Sequence, residues 1–112
     1  MNILKRSRED LTQKDLYFLL TDKSIKKLKE ASGKNIDVID YVIYEDVNRQ
    51  TGELMKILSI KASDCCYATN SPTFIECFEK IVECFGSDFK TISVMEEKSN
   101  KGRAYLQCSF VA

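Results

Sequence analysis

The sequence predicts one mainly β, α+β domain, and three observations carry that expectation. From Asn35 onward, runs rich in β-branched and aromatic residues recur at strand length. A single amphipathic helix, capped by Ser71 and closed by Gly86, interrupts those runs after the third. The chain has 112 residues, 44% of them hydrophobic, which suffices for one modest core and leaves no room for a second domain.

Each element has a local cause. Thr12-Gln13-Lys14-Asp15 is a helix start, with Thr12 as N-cap and an acid three residues on, and Leu16, Phe18, Leu19 and Leu20 supply apolar contacts. Ser24 caps a second short helix over Ile25 to Ala31, with Ile25 and Leu28 at helical spacing and Gly33 as its stop. Ile36 to Tyr44 reads as the first strand, apolar on both faces, so one face is expected in the core and the other as a tacky surface. After the polar loop Asp46 to Gly52, Glu53 to Lys61 is an antiparallel second strand, and Cys65 to Thr69 a short third. The helix from Ser71 to Gly86 has Pro72 at its first position and a stripe of Phe74, Phe78, Ile81 and Phe85, all expected in the core. Glu76, Glu79, Lys80 and Glu83 take its wet side. Phe89 to Glu97 and Arg103 to Val111 are the last two strands, joined by the turn Lys98-Ser99-Asn100-Lys101-Gly102. The order β-β-β-α-β-β, preceded by short N-terminal helices, is that of a five-stranded OB-like Greek-key barrel plugged by its helix. Residues 1–34 are then a basic N-terminal helical segment and 35–112 the barrel.

Composition removes several functions. Histidine and tryptophan are absent, which excludes histidine-based triads and histidine-containing zinc sites. No phosphate-loop, dinucleotide or nucleophile-elbow motif occurs, and no spacing singles out Asp37, Asp40 and Asp64 as metal ligands. The expectation is a protein that is not an enzyme and has neither cofactor nor metal. The five cysteines (Cys65, Cys66, Cys77, Cys84, Cys108) lack the short spacing of zinc or redox sites and read as reduced thiols; whether the Cys65-Cys66 pair has a redox role stays open. No apolar run approaches the ~20 residues that span a bilayer, and the charged start has no apolar stretch behind it, so a cytoplasmic location is expected and a membrane is not.

Charge is unevenly placed. The seventeen basic and seventeen acidic residues cancel, but residues 1–34 hold nine basic and five acidic, a net of +4, and the remainder carries −4. A basic start on an acidic body suits either a solvated helical face or an arm for a polyanion. Single strands of nucleic acid are held by a cationic groove and by flat side chains on which bases stack. OB barrels bind across strands two and three and the loops joining one to two and four to five. That map nominates Arg49 in the first loop, Lys56 and Lys61 on strand two, and Lys98, Lys101 and Arg103 at the last turn as phosphate contacts. Tyr67 and Tyr105 are the expected stacking platforms, with one of Tyr41 or Tyr44 beside them. Lys5, Arg6 and Arg8 add phosphate contacts or tie subunits together.

Several segments carry a resemblance as they stand: Ile3-Leu4-Lys5-Arg6-Ser7; Tyr41-Val42-Ile43-Tyr44-Glu45-Asp46 leading to Arg49-Gln50-Thr51-Gly52-Glu53; Ala68-Thr69-Asn70-Ser71-Pro72-Thr73-Phe74; and Lys101-Gly102-Arg103-Ala104-Tyr105-Leu106-Gln107-Cys108. Together they resemble small single-stranded-DNA-binding proteins of bacteriophages and related mobile elements. The resemblance implies an OB-like fold and a role coating single strands during replication. The chain departs from the cellular bacterial type, which has tryptophan stackers and an acidic partner-recruiting tail. A rival from another class is a small phage protein that inhibits a host defence protein, with Glu76, Glu79, Glu83, Glu96 and Glu97 imitating nucleic acid. Single-stranded DNA is thus the expected partner, and both a homo-oligomer and a host protein are compatible with the sequence.

Overall fold

A computed structural model describes residues 2–7, 9–21, 25–86 and 90–111. In chain order these form β1 (Asn2–Arg6), α1 (Gln13–Thr21), β2 (Lys26–Lys27), a 3-10 turn (Leu28–Ala31), β3 (Asn35–Val47), β4 (Leu54–Ala62), β5 (Cys66–Thr69), α2 (Pro72–Phe85), β6 (Thr91–Lys98) and β7 (Ala104–Val111). The fold is mainly β, as expected. Its strands join in the order β2-β5-β4-β3-β6-β7, with β1 also on β3, in a sheet that curls into a half-barrel with two helices. No pairing joins β5 to β7 among the described residues, so the sheet is open along that seam.

The strand β3 organises the rest. Its start, Asn35 to Asp37, pairs with β6; from Val38 to Val47 it pairs with β4; and Val42 to Glu45 pair with β1. A register shift between Val38 and Asp40 marks the irregularity in the ladder where β6 leaves off. Alternation then sends Tyr41 and Ile43 to one face and Val42 and Tyr44 to the other. The first face meets Leu58 and Ile60 of β4, Ile92 and Val94 of β6, and Phe74 and Phe78 of α2, forming the main core. Tyr41 and Phe78 meet there edge to face, with ring centroids 5.0 Å apart. The second face is covered by Leu11 and Leu19, with Ile3, Leu16, Leu20 and Ile57 around them.

That cover corrects the first expectation: the second face of β3 is not a tacky surface, because the N-terminal segment lies on it. Helix α1 begins as its sequence indicates. The Asp15 amide donates to Thr12 Oγ1 at 3.1 Å, and the Thr12 amide to Asp15 Oδ2 at 3.2 Å. Near its other end the Leu19 carbonyl, one of the four a helix leaves unpaired, accepts from the buried Ser59 hydroxyl of β4. Two strands of the N-terminal segment, β1 and β2, raise the count from the expected five to seven. The helix expected over Ile25 to Ala31 is replaced by β2 and the 3-10 turn; Ser24, its expected cap, lies outside the described residues. Lys26 and Lys27 pair in parallel with Tyr67 and Ala68 of β5, and Leu28 and Ala31 drop into the core one short turn later. Gly33, at φ 82°, ends the turn and donates to the Val94 carbonyl at 2.8 Å.

Helix α2 follows its cues closely. Ser71 Oγ accepts from the Phe74 amide, Pro72 opens the helix, and Gly86 at φ 61° closes it onto the Val82 carbonyl. One expected core residue lies elsewhere. Phe85 is 38% exposed, its ring stacked on the similarly exposed Phe110 of β7 with centroids 4.1 Å apart. Phe89, the expected start of the fourth strand, lies outside the described residues, and β6 runs from Thr91 to Lys98.

All five cysteines are unbridged thiols; Cys108 is buried and Cys84 exposed. Burial, with Cys77 nearby, pushes the Cys108 thiol up to about 12 from 9.0. An acid held protonated by the fold loses its stabilising effect as pH rises through this interval, since the unfolded chain ionises first. Denaturant midpoints are therefore expected to fall between pH 9.0 and about 12, and Cys108→Ala should flatten that fall. Removing the Ser59 hydroxyl tests the α1 dock. Ser59→Ala should cost about 1–3 kcal/mol in urea unfolding and speed amide exchange in α1 more than in α2; equal exchange in the two helices would contradict the assignment.

Candidate nucleic-acid interface

The β6–β7 hairpin is built by its turn. The Ser99 amide donates to the Arg103 carbonyl at 2.8 Å, Gly102 to the Ser99 carbonyl at 2.9 Å, and Arg103 to Ser99 Oγ at 3.3 Å. The turn needs φ 78° at Gly102, which a side chain there would strain. It leaves Lys98, Lys101 and Arg103 exposed within six residues of one another, with no ion pair among the described residues. One step along, Glu97 and Tyr105 face each other across the ladder. The Tyr105 hydroxyl donates to Glu97 Oε2 at 3.1 Å, which fixes the half-buried ring and pushes its phenol above the ordinary range.

Tyr105 borders a groove of about 640 Å³ at the open seam of the half-barrel. The β2 to 3-10 segment contributes Lys27 and Lys29, the end of β5 and the approach to α2 contribute Thr69 and Asn70, and β6 and β7 contribute Glu96 and Tyr105. Tyr44, Ile57, Ala68 and Leu106 give it apolar lining. It combines cations, a ring and polar groups on an apolar bed.

The other nominated residues lie elsewhere. Tyr67 is 3% exposed; its ring belongs to the main core and offers no face to a base. Its hydroxyl is bonded among Cys65 and Asp64, 2.8 Å from the Asp64 carboxylate, which raises the phenol and lowers the acid. Tyr41 is likewise core, and Tyr44 reaches the groove while staying mostly buried. Lys56 is committed to an ion pair with Glu79 of α2, beside a second groove that includes Leu54, Pro72 and Ile75. Lys61 is exposed on β4 opposite Asp40, and Arg49 is exposed at the tip of the β3–β4 turn. Lys5 and Arg6 are exposed on β1, opposite Ile43 and Val42; Arg8 lies outside the described residues.

The acids of β3 that would repel phosphate are partly occupied by the fold. Asp37 accepts from Thr91 Oγ1 at 2.7 Å, and buried Asp40 from Ser7 Oγ at 2.9 Å. No cluster of metal-ligating side chains is found among the described residues, and none of their helices is long and apolar enough to cross a membrane. Sequence reasoning misses Lys27, Lys29, Asn70 and Glu96 as groove residues. The lysines are legible as charge, but their spacing reads as a helix, and the other two have no local signal. Comparison with protein-family models, curated proteins and solved structures gives no match to this chain.

Proposed function

We propose that the chain is a non-catalytic single-stranded-DNA-binding protein, of the kind that coats unpaired strands during phage or mobile-element replication in the cytoplasm. The observation that carries this reading is the cationic hairpin of Lys98, Lys101 and Arg103 running directly into the seam groove through Tyr105. Phosphates then meet the hairpin and Lys27 and Lys29, while unpaired bases reach the Tyr105 ring and the apolar bed. A duplex hides its base faces and gains only the charge term. The order β5-β4-β3-β6-β7, with α2 between β5 and β6, fits a partly open Greek-key barrel of the OB type. In such a barrel the β3–β4 and β6–β7 loops flank the binding face, so Arg49 extends the track. The inhibitor alternative has less support. Two of the helix acids it relies on, Glu76 and Glu79, are paired with Lys80 and Lys56, which lowers the negative field of that face.

Anisotropy of a labelled oligo-dT and of an equally long duplex tests the reading. The single strand should bind more tightly, and its affinity should fall steeply as salt rises. Replacing Lys98, Lys101 and Arg103 together by alanine should reduce the slope of log affinity against log salt by about 2, at roughly 0.7 for each phosphate no longer neutralised. Tyr105→Ala should weaken oligo-dT binding by about 1–3 kcal/mol, with the melting temperature nearly unchanged because the ring is half exposed. Absence of oligo-dT binding at low salt would overturn the proposal.

A further inference from the structure

We infer that the seam groove reads the amino edges of unpaired bases through Glu96, so that the chain prefers cytosine-rich over thymine-rich single strands. The inference rests on the single-strand-binding reading above. Among the described residues Glu96 is the only carboxylate lining the groove, and it lines it together with Lys27, Lys29, Asn70 and Tyr105. A groove that held only the phosphodiester backbone would gain nothing from a carboxylate, which repels phosphate. The fold does not consume this side chain either: no hydrogen bond or ion pair of Glu96 is found among the described residues, whereas neighbouring Glu97 is engaged by Tyr105.

An ionised carboxylate only accepts hydrogen bonds, so whatever sits beside it must donate. Cytosine presents an exocyclic amino group; thymine presents a carbonyl oxygen at the equivalent position. The two pyrimidines are close in size, so the edge facing Glu96, which shares its face of the hairpin with Leu106, separates them. At about 640 Å³ the groove lies within the range of sites that enclose small organic groups. Its apolar bed of Ile57, Ala68 and Leu106 suits the flat face of a base better than a phosphate. Lys27 and Lys29 then hold the backbone while Glu96 meets the base.

Labelled oligo-dC and oligo-dT of equal length, titrated with wild-type protein and with Glu96→Gln at one salt concentration, test this. Wild type should bind oligo-dC about five- to tenfold more tightly than oligo-dT, as expected of one edge contact. A glutamine amide both donates and accepts, so Glu96→Gln should bring the ratio to about one, losing oligo-dC affinity and keeping or gaining oligo-dT affinity. Glu96 is exposed near the end of β6, and an unchanged melting temperature will confirm that the variant folds. A wild-type ratio near one, or a ratio that the substitution leaves intact, overturns the inference while leaving single-strand binding in place. Failure of the wild type to bind either oligonucleotide overturns both.

Discussion

The rest of the molecule depends on β3 being buried on both faces and paired along both edges. β4 takes one edge for most of its length, and β6 and then β1 share the other. Because β6 leaves after Asp37, the later part of that edge would expose unpaired amides and carbonyls, and β1 satisfies them from Val42 to Glu45. The same departure carries β6 and β7 away from β4 and β5 and opens the seam. The groove is thus a consequence of how one strand divides its partners, and Lys27 of β2 and Lys29 of the 3-10 turn reach it because β2 pairs with the β5 edge.

Two cores follow from the alternation along β3. The larger one, under α2, holds the aromatic mass; the smaller one, under α1, is fixed by Leu19 and by the Ser59 hydroxyl at the helix end. The N-terminal segment is therefore part of the folded sheet. Its charges at Lys5, Arg6, Lys27 and Lys29 are carried on paired strands and a short turn, so the fold fixes where their backbone sits.

Elements with local causes are legible in the sequence. The Thr12–Asp15 exchange and the Ser71-Pro72 start of α2 join groups within four residues, and the sequence shows both ends of each. The strands of the second half are legible to within two or three residues by their alternation. Ile25 to Ala31 is not: its helical spacing is real, but pairing of Lys26 and Lys27 with β5 outweighs the weak propensity of so short a stretch. Phe85 keeps the periodicity of its stripe, yet stacks on Phe110 at an exposed site, which periodicity alone does not reveal. In the site, the hairpin cations are legible because a turn must expose them. Tyr67 is not, since a four-residue strand gives too little alternation to tell which side faces the core. Glu96 and Asn70 come together only through the fold.

The central claim is that a single strand of DNA lies along the β6–β7 hairpin and enters the seam groove. Amide chemical-shift changes in isotope-labelled protein titrated with an unlabelled oligo-dC test it most directly. Changes concentrated at Lys27, Lys29, Asn70, Glu96, Tyr105 and residues 98–103, with α2 beyond its first turn undisturbed, are the expected result. Changes centred on Glu76, Glu79 and Glu83, or none at all, would contradict it.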